Sequence, residues 1–95
     1  MDTYEVSQIW VFMGEGGSHP CALFSTKARA EEWINQFGVS GVLSGYPLDV
    51  SVYEWAKENN YFTPKYPTQS SAEFIQRFSS AYLEHYHYER GERKA

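Results

Sequence analysis

Val6-Ser7-Gln8-Ile9-Trp10-Val11-Phe12-Met13 is the run from which the fold is read. Its β-branched and aromatic residues suit a strand, and Ile9 to Met13 are apolar enough to expect cover on both faces. Gly14-Glu15-Gly16-Gly17-Ser18-His19-Pro20 then turns the chain, and a second short apolar run follows from Cys21 to Phe24. The two runs together read as a β-hairpin with a long connection.

Working outward, Ser25 or Thr26 is placed to cap a helix whose Ala30, Trp33, Ile34 and Phe37 fall at the spacing of one buried stripe. Lys27, Arg29, Glu31, Glu32 and Gln36 take its wet side, and Gly38 sits where a left-handed terminating residue is wanted. Residues 39–46 offer a third strand, closed by Tyr46-Pro47 because proline cannot continue a central ladder. Ser51-Val52-Tyr53-Glu54 has the form of a capping box, and Val52, Trp55 and Ala56 supply the apolar face of a short second helix ending near Asn59-Asn60. After a loop over residues 61–69, Ser70-Ser71-Ala72-Glu73 repeats the capping pattern before a third helix. Its stripe is Phe74, Ile75, Phe78 and Ala81 or Tyr82. Glu84-His85-Tyr86-His87-Tyr88-Glu89 alternates as a strand does, and residues 90–95 read as a polar tail. The fold class is therefore α+β: hairpin, helix, third strand, two helices and a C-terminal strand, forming a small sheet with helices on one face. If the second and third strands run parallel, a β-α-β crossover joins them. One domain over residues 1–95 is expected, with its ordered core at about 5–89.

Composition narrows the function. Lys and Arg number eight against twelve Asp and Glu, a net charge of −4 with no basic stripe, so nucleic-acid binding is not expected. That acidity suits a basic protein partner. Cys21 stands alone and cannot form an internal disulfide, which fits a reducing cytoplasm. No run approaches the ~18 apolar residues of a membrane span, and residues 1–5 lack the pattern of a signal peptide. Aromatic residues make up 18% of the chain, a high share that serves a short chain's core and, where exposed, its contacts.

Chemistry-bearing residues are few. In a strand, His85 and His87 point to the same face and can share a metal; in a helix they would stand about 200° apart and could not. A third ligand would have to come from Glu84, Glu89 or His19. The glycine-rich connection resembles an anion nest, but Glu15 at its centre opposes a phosphate, leaving a flexible hairpin loop with Glu15 as a candidate binding residue. Cys21 reads as a buried structural thiol opening a strand, and no nucleophile is paired with a base. Tyr61-Phe62-Thr63-Pro64-Lys65-Tyr66-Pro67 puts three rings on a proline-stiffened loop. Either Phe62 tucks under the loop, or Tyr61, Phe62 and Tyr66 form an aromatic contact patch.

Trp10-Val11-Phe12-Met13-Gly14-Glu15-Gly16-Gly17, Phe24-Ser25 with Ala30-Glu31-Glu32-Trp33-Ile34, Gly41-Val42-Leu43 with Tyr46-Pro47, and Glu84 through Glu89 carry a resemblance over nearly the whole chain. Asp49, Ser51-Val52-Tyr53, Trp55-Ala56, Phe74-Ile75 and Phe78-Ser79-Ser80 extend it. The chain resembles a family of small, mainly bacterial domains without an assigned function. The resemblance implies a complete stand-alone domain and carries over no catalytic or binding residues, and it calls for no cofactor. A looser likeness of the strand and F-S-x-x-x-A-E-x-W-type helix to immunity-type proteins is fold-level analogy. The reading that follows is a non-enzymatic protein-interaction module of accessory, regulatory or immunity-like type, with a homodimer as one form of it. A small-molecule or metal-binding domain using His85 and His87 is the alternative.

Overall fold

The hairpin is present, with β1 at Gln8–Gly14 and β2 at Ala22–Phe24. The computed structural model describes residues 8–94; Val6, Ser7 and the segment read against a signal peptide lie outside the described residues. The described chain gathers into two units, residues 8–48 with 83–94, and Asp49–Tyr82.

In the first unit a five-stranded antiparallel sheet has the order β2-β1-β3-β4-β5, with β3 at Gly41–Pro47, β4 at His85–Glu89 and β5 at Glu92–Arg93. Because β2 and β3 each run antiparallel to β1, they are parallel to one another. Helix α1 (Lys27–Phe37) joins them, the crossover foreseen, with β1 inserted between its two strands. Register fixes the faces. Trp10 lies opposite Gly45 and Phe24, Phe12 opposite Leu43 and Ala22, and Leu43 opposite Tyr86. These side chains share the face that packs on Ala30 and Ile34 of α1, and Phe12, Ile34 and Leu43 are fully buried. Each such burial contributes about 1.5–3 kcal/mol.

Glycines in β3 make the close approaches. A Cβ on Gly45 would meet the Trp10 ring at 3.1 Å, so the indole occupies space that glycine leaves. A Cβ on Gly41 would stand 2.3 Å from the Met13 carbonyl oxygen, a backbone atom that cannot step aside. Both α1 ends match the sequence: Thr26 Oγ1 accepts from Arg29 N at 3.2 Å, and Gly38 is left-handed at φ 62°.

Several expectations are corrected. Ile9, Val11 and Met13 are half-buried, so β1 is fully covered on one face alone. Phe37 is 61% exposed, because its ring caps Trp33 at the last turn of α1 and lies outside the core. Cys21 is exposed: it precedes the three-residue edge strand β2, at the loop end of the hairpin. Residues read as polar tail form β5, folded back by a two-residue turn with Arg90 at φ 51° and Gly91 at φ 85°. Two positive φ values in succession match the twist of a hairpin. Gly91 is buried with its N–H donating to Val39 O at 2.8 Å, and a Cβ there would crowd Ile34 O and Gly38.

The edge so formed is tied to α1. The Tyr88 hydroxyl donates to Glu31 Oε2 at 2.5 Å, and Arg93 approaches the same oxygen at 3.7 Å. Glu31, read as a wet helical residue, is thus engaged by two strands. Lys27 and Arg93 lie 3.9 and 4.2 Å from the Tyr86 ring centroid, each in cation–π range. Burial first, then the Glu31 carboxylate, hold the Tyr88 hydroxyl well above its ordinary value of 10.0.

In the second unit, α2 (Val52–Glu58) starts at Ser51, whose Oγ accepts from Glu54 N at 3.0 Å. The expected box is half-made, since Glu54 Oε1 accepts from the Ser51 hydroxyl. A 3-10 turn at Pro67–Ser70 precedes α3 (Ala72–Arg77), which is capped by Ser71. Ser70 therefore does not start the helix, and Glu73 falls one position early for a box. Helix α3 stops at Phe78, so Ala81 and Tyr82 are not on its stripe. Tyr53, Phe62, Phe74 and Phe78 pack as one cluster with ring centroids 4.9 to 6.2 Å apart.

Gly41→Ala should lower the unfolding free energy by about 2–3 kcal/mol in urea titration, because backbone must move to admit the methyl group. Gly14→Ala, whose Cβ would make ordinary contacts at 3.9 Å, should be neutral or gain a few tenths of a kcal/mol. Tyr88→Phe should cost about 1.5 kcal/mol at neutral pH, the worth of a hydrogen bond to a charged acceptor. The folded chain holds this phenol protonated more firmly than the unfolded one. The contribution is therefore complete below pH 10.0 and is lost as pH rises from there. Unfolding curves at successive alkaline pH values should show that loss in the parent and its absence in Tyr88→Phe.

Candidate functional site

The six residues nominated for binding divide between the two units: Glu15, His85 and His87 in the first, Tyr61, Phe62 and Tyr66 in the second. In the second unit the loop after α2 begins with a left-handed residue, Asn60 at φ 62°. Asn60 N donates to Lys57 O at 3.1 Å and Tyr61 N to Ala56 O at 2.8 Å. This pair of bonds is a Schellman motif, which brings the residue after the turn back against the last helical turn. Tyr61 accordingly packs on Trp55 with ring centroids 5.3 Å apart. Its other contact is Tyr82, stacked at 4.2 Å with 5° between the planes. Both rings stay in contact with solvent, Tyr61 at 44% and Tyr82 at 65% exposure.

Phe62 points the opposite way. It is half-buried against Tyr53, Phe74 and Phe78, so this ring takes the inward placement while Tyr61 stays exposed. Tyr66 is exposed and stands at the start of the 3-10 turn. One side chain organises the loop between them. Gln69 Oε1 accepts from Lys65 N at 2.6 Å and from Tyr66 N at 3.2 Å, while the Tyr53 hydroxyl donates to Gln69 O at 2.8 Å. A shallow groove of about 460 Å³ runs over Tyr61, Phe62, Lys65 and Gln69. Trp55 is half-buried on the apolar stripe of α2, beneath Tyr61, whereas Tyr82, which the spacing places on a helix, lies beyond the end of α3 and is exposed.

In the first unit His85 and His87 lie on the sheet face opposite α1, both exposed, with ring centroids 5.6 Å apart. Their cross-strand neighbours on β3 are Ser44 and Val42. Glu15 follows β1 and donates its N–H to Ser40 O at 2.9 Å. Glu15 and His87 line one groove of about 450 Å³, with Met13 and Val42 as apolar surface and Glu89 and Lys94 as charges. Lys94 Nζ pairs with Glu89 Oε1 at 2.9 Å. The groove thus offers apolar floor, an imidazole and charges of both signs. Tyr88, which also borders it, has its hydroxyl committed to Glu31.

Among the described residues, no three His, Cys, Asp or Glu side chains come together as a metal cluster. None of the described helices is long and apolar enough to cross a membrane. No curated protein and no solved structure matches the chain. A family model described as a domain of unknown function (DUF7710) does match, over residues 9–94, and the chain belongs to that family.

Proposed function

We propose that this domain is a non-enzymatic protein-interaction module whose contact surface is centred on Trp55, Tyr61 and Tyr82. The observation that carries the reading is the parallel Tyr61–Tyr82 stack, 4.2 Å between centroids and open to solvent. Large rings left exposed are costly unless something covers them, and Tyr and Trp are the residue types enriched at the centres of protein interfaces. Tyr61 is also held in advance. The Schellman turn fixes Tyr61 and Gln69 stiffens the loop that follows, so little side-chain or loop freedom remains to be lost on binding.

The partner that fits is a protein with a basic surface, given a net charge of −4. An accessory, regulatory or immunity-like role accords with a small acidic chain. A lone, exposed thiol at Cys21 favours a reducing cytoplasm, and the resemblance to mainly bacterial domains favours a bacterial one. A second copy of the chain is the other occupant such a surface admits.

Tagged wild-type chain, Tyr82→Ala and Tyr61→Ala/Tyr82→Ala should be compared as baits in cell extract at low salt, each checked for folding by circular dichroism. The expected result is one stoichiometric protein on the wild type, weakened at least about tenfold by the double variant, in line with interface anchors worth 2 kcal/mol or more. Retention of the same partner by the folded double variant would remove this surface from the function. Sedimentation of the free chain distinguishes self-association.

A further inference from the structure

The sheet face opposite α1 carries two exposed imidazoles, two residues apart on β4. We propose that His85 and His87 together bind a divalent transition-metal ion, Cu2+ above others, through their Nε2 atoms, with water completing the coordination. This goes beyond the protein-contact reading and involves other residues.

The argument starts from the strand. Residues two apart on β4 point to one side, and the register Ser44↔His85 and Val42↔His87 assigns both to the same face. Their centroids stand 5.6 Å apart. With metal–nitrogen distances of about 2.0–2.1 Å, two imidazoles sharing one ion have centroids roughly 5 Å apart, so the backbone already provides the spacing. The rings now meet edge to face at 80°, and joint ligation requires them to reorient until both Nε2 atoms converge. Both side chains are exposed, and the cross-strand neighbours Ser44 and Val42 are small.

The tautomer of His85 is set for ligation. Its Nδ1 lies 2.7 Å from the Leu83 carbonyl oxygen. A carbonyl only accepts, so Nδ1 carries the proton, and in the neutral ring the lone pair is on Nε2. A backbone carbonyl holding the far nitrogen is the arrangement found behind metal-bound histidines, where it fixes the ring and raises its basicity. The backbone beneath is fixed on both sides. Gly45 N donates to Glu84 O at 2.9 Å, and Lys94 N donates to His87 O at 2.8 Å.

Ligand chemistry selects the metal. Imidazole nitrogen suits Cu, Ni and Zn, whereas Mg2+ and Ca2+ ask for oxygen. Glu89 is next along the same face, but its carboxylate is paired with Lys94 at 2.9 Å, and no triad of ligands forms among the described residues. A two-nitrogen site open to water follows the order in which Cu2+ binds more tightly than Ni2+ or Zn2+.

The test is titration of the whole chain with CuCl2 alone in a non-coordinating buffer, read by calorimetry and by electron paramagnetic resonance. One Cu2+ per chain is expected, with hyperfine structure from two nitrogens. His85→Ala and His87→Ala should each weaken binding at least about tenfold and leave one nitrogen. His19→Ala should bind as the wild type, and Mg2+ should not compete. His87→Thr, which suits a strand, provides a second variant, and unchanged circular dichroism confirms that each chain is folded. A wild-type chain that takes up no Cu2+, or His85 and His87 variants that bind it as tightly as the wild type, would overturn the proposal. Neither result bears on the Tyr61–Tyr82 surface.

Discussion

The pairing of β1 with β3, Trp10 against Gly45 and Phe12 against Leu43, is the constraint on which the rest of the first unit depends. A strand's side chains alternate, so a slip of one residue would exchange every buried group for an exposed one. Here the register is locked sterically as well as by hydrophobic pattern. The indole of Trp10 lies where a side chain on residue 45 would be, and the Met13 carbonyl lies where one on residue 41 would be. Leu43 in turn faces Tyr86 on β4. The alternation is thereby passed on until Tyr88 is buried and His85 and His87 are left in water.

Closure of the far edge uses different physics. Strand β5 has two residues and makes little area of its own, and three interactions compensate. A left-handed turn at Arg90-Gly91 reverses the chain, Gly91 packs against the end of α1, and Tyr88, Glu31 and Arg93 share one carboxylate oxygen. The half-buried carboxylate would be costly alone. With a phenol donating to it and a guanidinium charge beside it, it becomes the tie between helix and strand. The same placement keeps the Tyr88 hydroxyl out of any chemistry in the groove beside it.

The elements legible in the sequence were those whose signals are local. Thr26 and Gly38 bound α1 because capping geometry needs a short oxygen at one end and a left-handed residue at the other. The alternation of residues 84–89 reads directly as a strand, and the shared face of His85 and His87 follows from it. What escaped depends on partners distant in sequence or on competition between neighbours. Arg90-Gly91 is not a usual hairpin pair, and it forms because Gly91 alone fits under Ile34 and Gly38. Ser70 and Ser71 are equivalent caps by type, and the 3-10 turn beginning at Pro67 takes up Ser70 and leaves Ser71 to cap. Glu31 could not be paired with Tyr88 without knowing that β4 comes to lie beside α1. For the aromatic surface, Tyr61 was legible as a loop ring. Its partner Tyr82 was hidden by an apparent helical stripe that the chain abandons at Phe78.

Both proposed surfaces follow from one principle, that exposed groups bind well when the backbone beneath them is already fixed. At Tyr61 the fixing is local: two hydrogen bonds at the end of α2 impose the ring's approach to Trp55, and Gln69 restrains the next residues. At His85 and His87 it is non-local, coming from strands paired on either side and a carbonyl that selects one tautomer. The difference has a consequence for how each surface tolerates change. The aromatic patch rests on the turn that closes α2 and on the stacking of Tyr61 with Tyr82. The histidine pair inherits its geometry from the whole ladder, so any change that shifts β3 against β1 moves both imidazoles together. A surface set by a turn can vary in sequence around it, whereas one set by register is coupled to the core that holds it.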